Sequence, residues 1–177
     1  MSEPAGTSRR VVLYGNPALR TKSRLIAKIT ADVVRLFADL KVSLLSADGV
    51  GLAANQIAET VQCFALDPRG ADIDREPYCI CNPEIVAQEG RVENEEGCLS
   101  LPGLYDFLKR PELVRIKGIG EQGKEITIEG TGLMARAIMH ELDHLNGVLF
   151  VDHLSASRRK MVAGKLSEFE QREQACG

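Results

Sequence analysis

The feature that most constrains this 177-residue chain is the run Leu133 to Asn146, apolar on nearly every side yet carrying His140-Glu141-Leu142-Asp143-His144. Leu133, Met134, Ala135, Ala137, Ile138, Met139, Leu142 and Leu145 leave no broad polar face. A helix of that kind is buried, so the rest of the chain must supply its cover. Two imidazoles and two carboxylates inside it demand partners, because burying an unpaired polar group costs several kcal/mol. Residues four apart share a helix face, so His140 and His144 can reach one cation. Glu141 sits one residue round, placed to hold a proton of an attacking water. The plainer alternative is a pair of hydrogen-bonded core histidines.

Around this helix the chain reads as one domain spanning residues 1–177, of α+β class. Thr30 is a candidate N-cap for a helix whose Val33, Val34, Phe37, Leu40, Leu44 and Leu45 recur at helical spacing until Asp48-Gly49. Val61 to Leu66 reads as a strand. Tyr78 to Ile80 and Glu84 to Ala87 read as strand pieces broken at Asn82-Pro83. Arg91 to Glu96 reads as extended. Leu113 to Ile119 alternates apolar and basic, and Glu125 to Ile128 returns as its hairpin partner across Gln122-Gly123. Gly147 stops the apolar helix, and a last helix runs from about Ser157 to Glu173. Its basic residues come early and its glutamates late, which opposes the helix dipole, so packing must hold it. The expected architecture is short, mostly antiparallel strands packed around a central apolar helix, with a C-terminal helix.

Composition narrows the classes. A net charge of -3 argues against nucleic-acid binding. No apolar run approaches the ~18 residues of a membrane span. The start, Met1 to Arg10, is polar and lacks the core of a signal peptide. Five cysteines, an odd number without regular spacing, argue against a disulfide framework; Cys79 and Cys81 read as ordinary strand residues. A cytoplasmic protein in a reducing compartment is the expectation.

A metal on the helix needs a third protein ligand. In the pattern H-E-x-x-H-x-x-G-x-x-H, Gly147 falls in place but Phe150 holds the last histidine position, and His153 comes three residues late. Glu168 and Glu170 would suit a metallopeptidase but lie in a polar tail. Cys98, within Glu96-Gly97-Cys98-Leu99-Ser100, is the upstream candidate, although alone it reads as an inert buried thiol.

Three blocks together resemble the peptide deformylase family: Gly49-Val50-Gly51-Leu52-Ala53-Ala54-Asn55-Gln56, Glu96-Gly97-Cys98-Leu99-Ser100 and His140-Glu141-Leu142-Asp143-His144-Leu145. Their order and separation also fit, over about Val12 to Leu154. The resemblance implies hydrolysis of the N-formyl group from the N-terminal formylmethionine of nascent polypeptides, releasing formate. It implies Cys98, His140 and His144 as metal ligands and Glu141 as general acid/base. Gln56 and the backbone N–H of Leu99 would stabilise the oxyanion. Val50, Gly51 and Glu96 fall at substrate positions, with Leu133 and Ala137 near the methionine pocket. The implied metal is Fe²⁺, with Zn²⁺, Ni²⁺ or Co²⁺ as substitutes. The implied partners are formyl-methionyl peptides and the ribosome, approached through the last helix.

The chain departs from the family's pattern in two places. Met139 stands where a glutamine is usual, and Tyr105 where many members carry an arginine that helps hold the peptide. Arg110 is expected to pair with Asp143 or Glu96, and His153 is expected not to be a ligand. Two competitors share the motif: a metallopeptidase with another third ligand, and a homologue that binds N-terminal peptides without turnover.

Overall fold

The computed structural model of the protein describes residues 5–176. Met1 to Pro4, part of the polar start, and Gly177 lie outside the described residues. The first helix, α1 (Ala31–Ser46), opens at Thr30, whose hydroxyl accepts the Val33 N–H at 3.4 Å. Seven strands follow: β1 (Gly51–Ala53), β2 (Cys63–Leu66), β3 (Tyr78–Glu89), β4 (Val92–Cys98), β5 (Leu101–Arg110), β6 (Leu113–Gly120) and β7 (Glu125–Thr131). Then come α2 (Gly132–Leu145) and α3 (Ala156–Cys176). Five strands form a sheet in the order β1-β2-β3-β6-β7, and β4 with β5 forms a separate hairpin. Every pairing between these strands is antiparallel. The α+β expectation holds.

Strand alternation sorts the core. Phe64, Leu66 and Ile80 point to one face of the sheet and pack with Val114, Ile116 and Ile128 against Met134, Ala135, Ile138 and Leu142 of α2. Their neighbours Cys63, Ala65, Cys79 and Cys81 point to the other face, against Phe37, Leu40 and Leu44 of α1. Cys79 and Cys81 are therefore core residues of a strand, as read from the sequence. A third cluster joins Leu101, Leu104 and Leu108 of β5 to Phe150, Val151, Leu166 and Phe169, which seats α3 on the hairpin.

Four details differ from the sequence reading. First, β3 is one strand, not two pieces. Asn82 takes a left-handed φ of 49°, and its side-chain amide bonds both N–H and C=O of Ile26, so the ladder continues through an irregularity between Cys81 and Glu84. Second, β5 was not legible, because two of its inward residues, Asp106 and Arg110, are charged. Third, α2 is not apolar all round: Leu133 is 48 % exposed, whereas Arg136 is buried. Fourth, the charges of α3 find partners off the helix. Arg158 pairs with Asp106 and Arg159 with Asp152. Glu173 is buried and accepts from Arg10, Asn16 and the Leu13 N–H. No helix among the described residues is long and apolar enough to cross a membrane.

Candidate metal centre

Three elements from different layers meet at one point. The buried α2 presents His140 and His144 on one face, one helical turn apart. Cys98 ends β4, where the hairpin ladder slips between Gly97 and Cys98 and turns through Leu99 and Ser100. Gln56 sits in the short helical turn Ala54–Ile57 that follows β1. The nitrogen and sulfur donors of Cys98, His140 and His144 lie within 4.8 Å of one another, the only such His/Cys/Asp/Glu group among the described residues. Phe150 is buried and its ring stacks near His140. His153 turns away to Asp143, 2.7 Å off, and Glu168 and Glu170 are exposed on α3.

The surroundings fix how His140 faces, whereas His144 Nδ1 is buried without a hydrogen-bond partner among the described residues. His140 Nδ1 donates to Glu96 Oε1 at 2.8 Å, which turns its Nε2 toward the trio. His144 Nε2 lies 3.1 Å from His140 Nε2 and 3.3 Å from Cys98 Sγ. Electron-rich atoms this close repel unless a proton or cation stands among them. Two imidazoles and a thiol form a donor set that suits a divalent transition metal and leaves a coordination position free. The residues fit the group.

Glu96 is the hub. Burial opposes its charge, but His140 and Arg110 outweigh burial and hold the carboxyl well below the usual range. Arg110 donates to both Glu96 oxygens (3.0 and 2.7 Å) and also to Asp143 (2.7 Å), so the pairing expected for Arg110 is made with both carboxylates. Arg136 adds a bond to Glu96 at 2.9 Å and two more to the carbonyls of Val92 and Leu108. The Glu96 carboxylate is thus fully engaged, and any contact of this residue with substrate falls to its backbone. Arg136 escaped the sequence reading, although its place four residues before His140 puts both side chains on the face that meets Glu96.

Glu141 is buried, and its Oε2 has no partner. Burial pushes its carboxyl up to about 7, with nearby Glu96 and Asp143 adding to the rise against His140. Gly51 makes room for it: a Cβ there would fall 2.5 Å from Glu141 Oε1. Across the trio, Gln56 Oε1 accepts the Ala53 N–H at 2.9 Å, which turns Nε2 toward Ser100 Oγ (3.2 Å) and Cys98 Sγ (3.7 Å). Burial drives the His144 pKa well down. His140 stays well above its ordinary value despite burial, because Cys98 and Glu96 favour its charge. A cleft of about 360 Å³ opens over the trio, lined by Val50, Gly51, Leu99, Tyr105, Leu133 and Ala137 among others. Met139 lies off this cleft and packs against the sheet-side core.

A carboxylate poised near neutrality beside a cation site, under a peptide-sized cleft, is the equipment of a metal-dependent hydrolase. Comparison with known proteins narrows that class. A family model described as polypeptide deformylase matches residues 8–160. The peptide deformylase of Thermodesulfovibrio yellowstonii is 40 % identical over 152 residues, covering 86 % of this chain and 92 % of the relative. That of Agrobacterium fabrum is 37 % identical over 92 % of this chain and 96 % of its own. A solved peptide deformylase from Legionella pneumophila superposes with a TM-score of 0.86 at 39 % identity, over 96 % of this chain and 98 % of that one. The chain belongs to the polypeptide deformylase family. Members are metal-dependent hydrolases, and the Cys98, His140 and His144 trio is the possible metal site.

Proposed function

We propose that this chain hydrolyses the N-formyl group from the N-terminal formylmethionine of nascent polypeptides, releasing formate. The observation that carries the reading is the convergence of the Cys98, His140 and His144 donors beside Glu141 and Gln56 in one cleft. Cys98, His140 and His144 hold a divalent cation, Fe²⁺ in our reading, with Zn²⁺, Ni²⁺ or Co²⁺ able to substitute. When bound, such a cation would supply Lewis acidity, which would polarise a carbonyl and lower the pKa of water. Glu141 takes a proton from the attacking water and returns it to the departing amine nitrogen, a role its near-neutral pKa suits. Gln56 Nε2, oriented through Ala53, donates to the developing oxyanion together with the Leu99 N–H. Glu96 fixes the orientation of His140 and holds its tautomer. The β1 edge at Val50 and Gly51 offers backbone groups to an extended peptide, and Leu133 and Ala137 give the methionine side chain an apolar wall.

The chain acts as a single catalytic domain over residues 1–177, in the cytoplasm. It meets nascent chains at the ribosome through the basic start of α3, where Lys160 is exposed. The test is product analysis after incubation with formyl-Met-Ala-Ser. The proposal predicts free Met-Ala-Ser and formate. Appearance of formyl-Met and Ala-Ser would make the chain a metallopeptidase instead, and an unchanged peptide in metal-loaded protein would leave only a binding role.

A further inference from the structure

Away from the metal centre, three cysteines sit together on the sheet face that α1 covers. Cys63 on β2 stands directly opposite Cys81 on β3, and Cys79 lies two residues before Cys81 on the same face. All three are buried and free. The Asn82 N–H donates to the Gln62 carbonyl at 2.8 Å, so the ladder bond falls just outside the Cys63–Cys81 pair and makes it a non-hydrogen-bonded one. At such a pair the α-carbons approach to about 4.5 Å, within the span of a disulfide. Cys79 is placed less well. Its direct opposite is Ala65, and diagonal neighbours such as Cys63 lie about 7–8 Å away between α-carbons, beyond that span. Cys79 Sγ instead donates to the Phe37 carbonyl of α1 at 3.7 Å. Burial first, then contact with the Cys79 and Cys81 thiols, pushes the Cys63 thiol well up, so it is inert while α1 stays down.

We propose that Cys63 and Cys81 are a reversible redox pair, closed to a cross-strand disulfide by a small-molecule disulfide when α1 lifts from the sheet. The inference stands apart from the deformylase reading. A surface pocket of about 520 Å³ between Ile29 and Ile119 borders Cys81, so Cys81 meets the oxidant first. Cys81 gives up its proton, and its thiolate attacks one sulfur of the small disulfide. A mixed disulfide forms, and the expelled thiolate takes up a proton. Cys63 then ionises in turn, attacks the Cys81 sulfur and expels the second small thiol. Two protein thiols and one small disulfide thus become one protein disulfide and two small thiols, with no further reactant. The register already sets the two residues opposite, so closure changes no strand partner. The link ties β2 to β3 on the face away from α2, which leaves the metal centre in place.

The test incubates zinc-loaded protein with excess oxidised glutathione, blocks the remaining thiols with iodoacetamide and maps tryptic peptides by mass spectrometry. Trypsin leaves Cys63 on one peptide and Cys79 with Cys81 on another, so a link between the two peptides is read directly. The link should form in the parent and in Cys79→Ala, be absent from Cys81→Ala, and vanish on treatment with dithiothreitol. Bound zinc should not change. The rate of linking should rise several-fold in about 1 M urea, which favours local opening of α1. A link that persists in Cys81→Ala and is lost in Cys79→Ala would overturn the register argument. Glutathione adducts on Cys63 or Cys81 without a link would overturn the pairing. Reaction at exposed Cys176 with none at Cys63 or Cys81, even in urea, would overturn the redox pair altogether. A linking rate that urea leaves unchanged would overturn the role given to α1.

Discussion

Residue by residue, the site depends on small atoms in crowded places. Gly51→Ala would drive a methyl group into the Glu141 carboxylate. Misplacing a catalytic group by an ångström costs about 10²-fold, so kcat should fall by about that factor while bound metal is unchanged. Steady-state formate assays with parallel metal analysis check this. Gln56→Leu removes the amide donor and should lower kcat by about 10²–10³ with a smaller effect on KM. The histidine pair was legible because helical spacing alone puts His140 and His144 on one face, whereas Cys98 joined them only through the family resemblance. The place of Glu96 was harder to read: its oxygens go to Arg110, Arg136 and His140, partners 14, 40 and 44 residues away, and no local pattern announces such distances.

At the level of elements, charge inside the fold obscured what apolar patterning usually reveals. β5 turns Asp106 and Arg110 inward, so its alternation does not read as apolar against polar. β3 looked broken at Asn82-Pro83 because the side-chain bonds from Asn82 to Ile26 are long-range. Arg136 ties α2 to both strands of the β4–β5 hairpin. Arg136→Leu strands the Val92 and Leu108 carbonyls and takes one partner from buried Glu96, and should cost about 3 kcal/mol in urea unfolding. The end of α3 is held by Glu173, whose carboxyl is brought down to about 2 by Arg10 first, with help from Asn16 and the Leu13 N–H. A depressed carboxyl stabilises the fold fully above its unfolded pKa of about 4.3 and loses that contribution as pH falls through the folded value. Acid unfolding between about pH 4.5 and 2 should therefore be less steep in Glu173→Gln, which should also lose about 1–3 kcal/mol at neutral pH.

Across the whole molecule, α1, the sheet and α2 form successive layers, and the hairpin with α3 closes one side. The trio bridges these parts, since Cys98 comes from the hairpin and both histidines from α2. A bound cation therefore links the hairpin to α2, and chelation should lower the thermal midpoint. Metal at about a hundred times its dissociation constant should restore about 2.7 kcal/mol, read by calorimetry. The packing of antiparallel strands on the buried helix was foreseen; the placing of α1 on the other face of the sheet and the division into a five-stranded sheet and a separate hairpin were not, because such partners are chosen by long-range contacts. The central claim is that one cleft joins metal-dependent deformylation to a buried carboxylate. Its most direct test is the rate of formate release from formyl-Met-Ala-Ser by protein purified anaerobically with iron, beside Glu141→Ala at matched metal content. The account predicts rapid release in the first and near-complete loss in the second. Undiminished release by Glu141→Ala, or none from the iron-loaded parent, would contradict it.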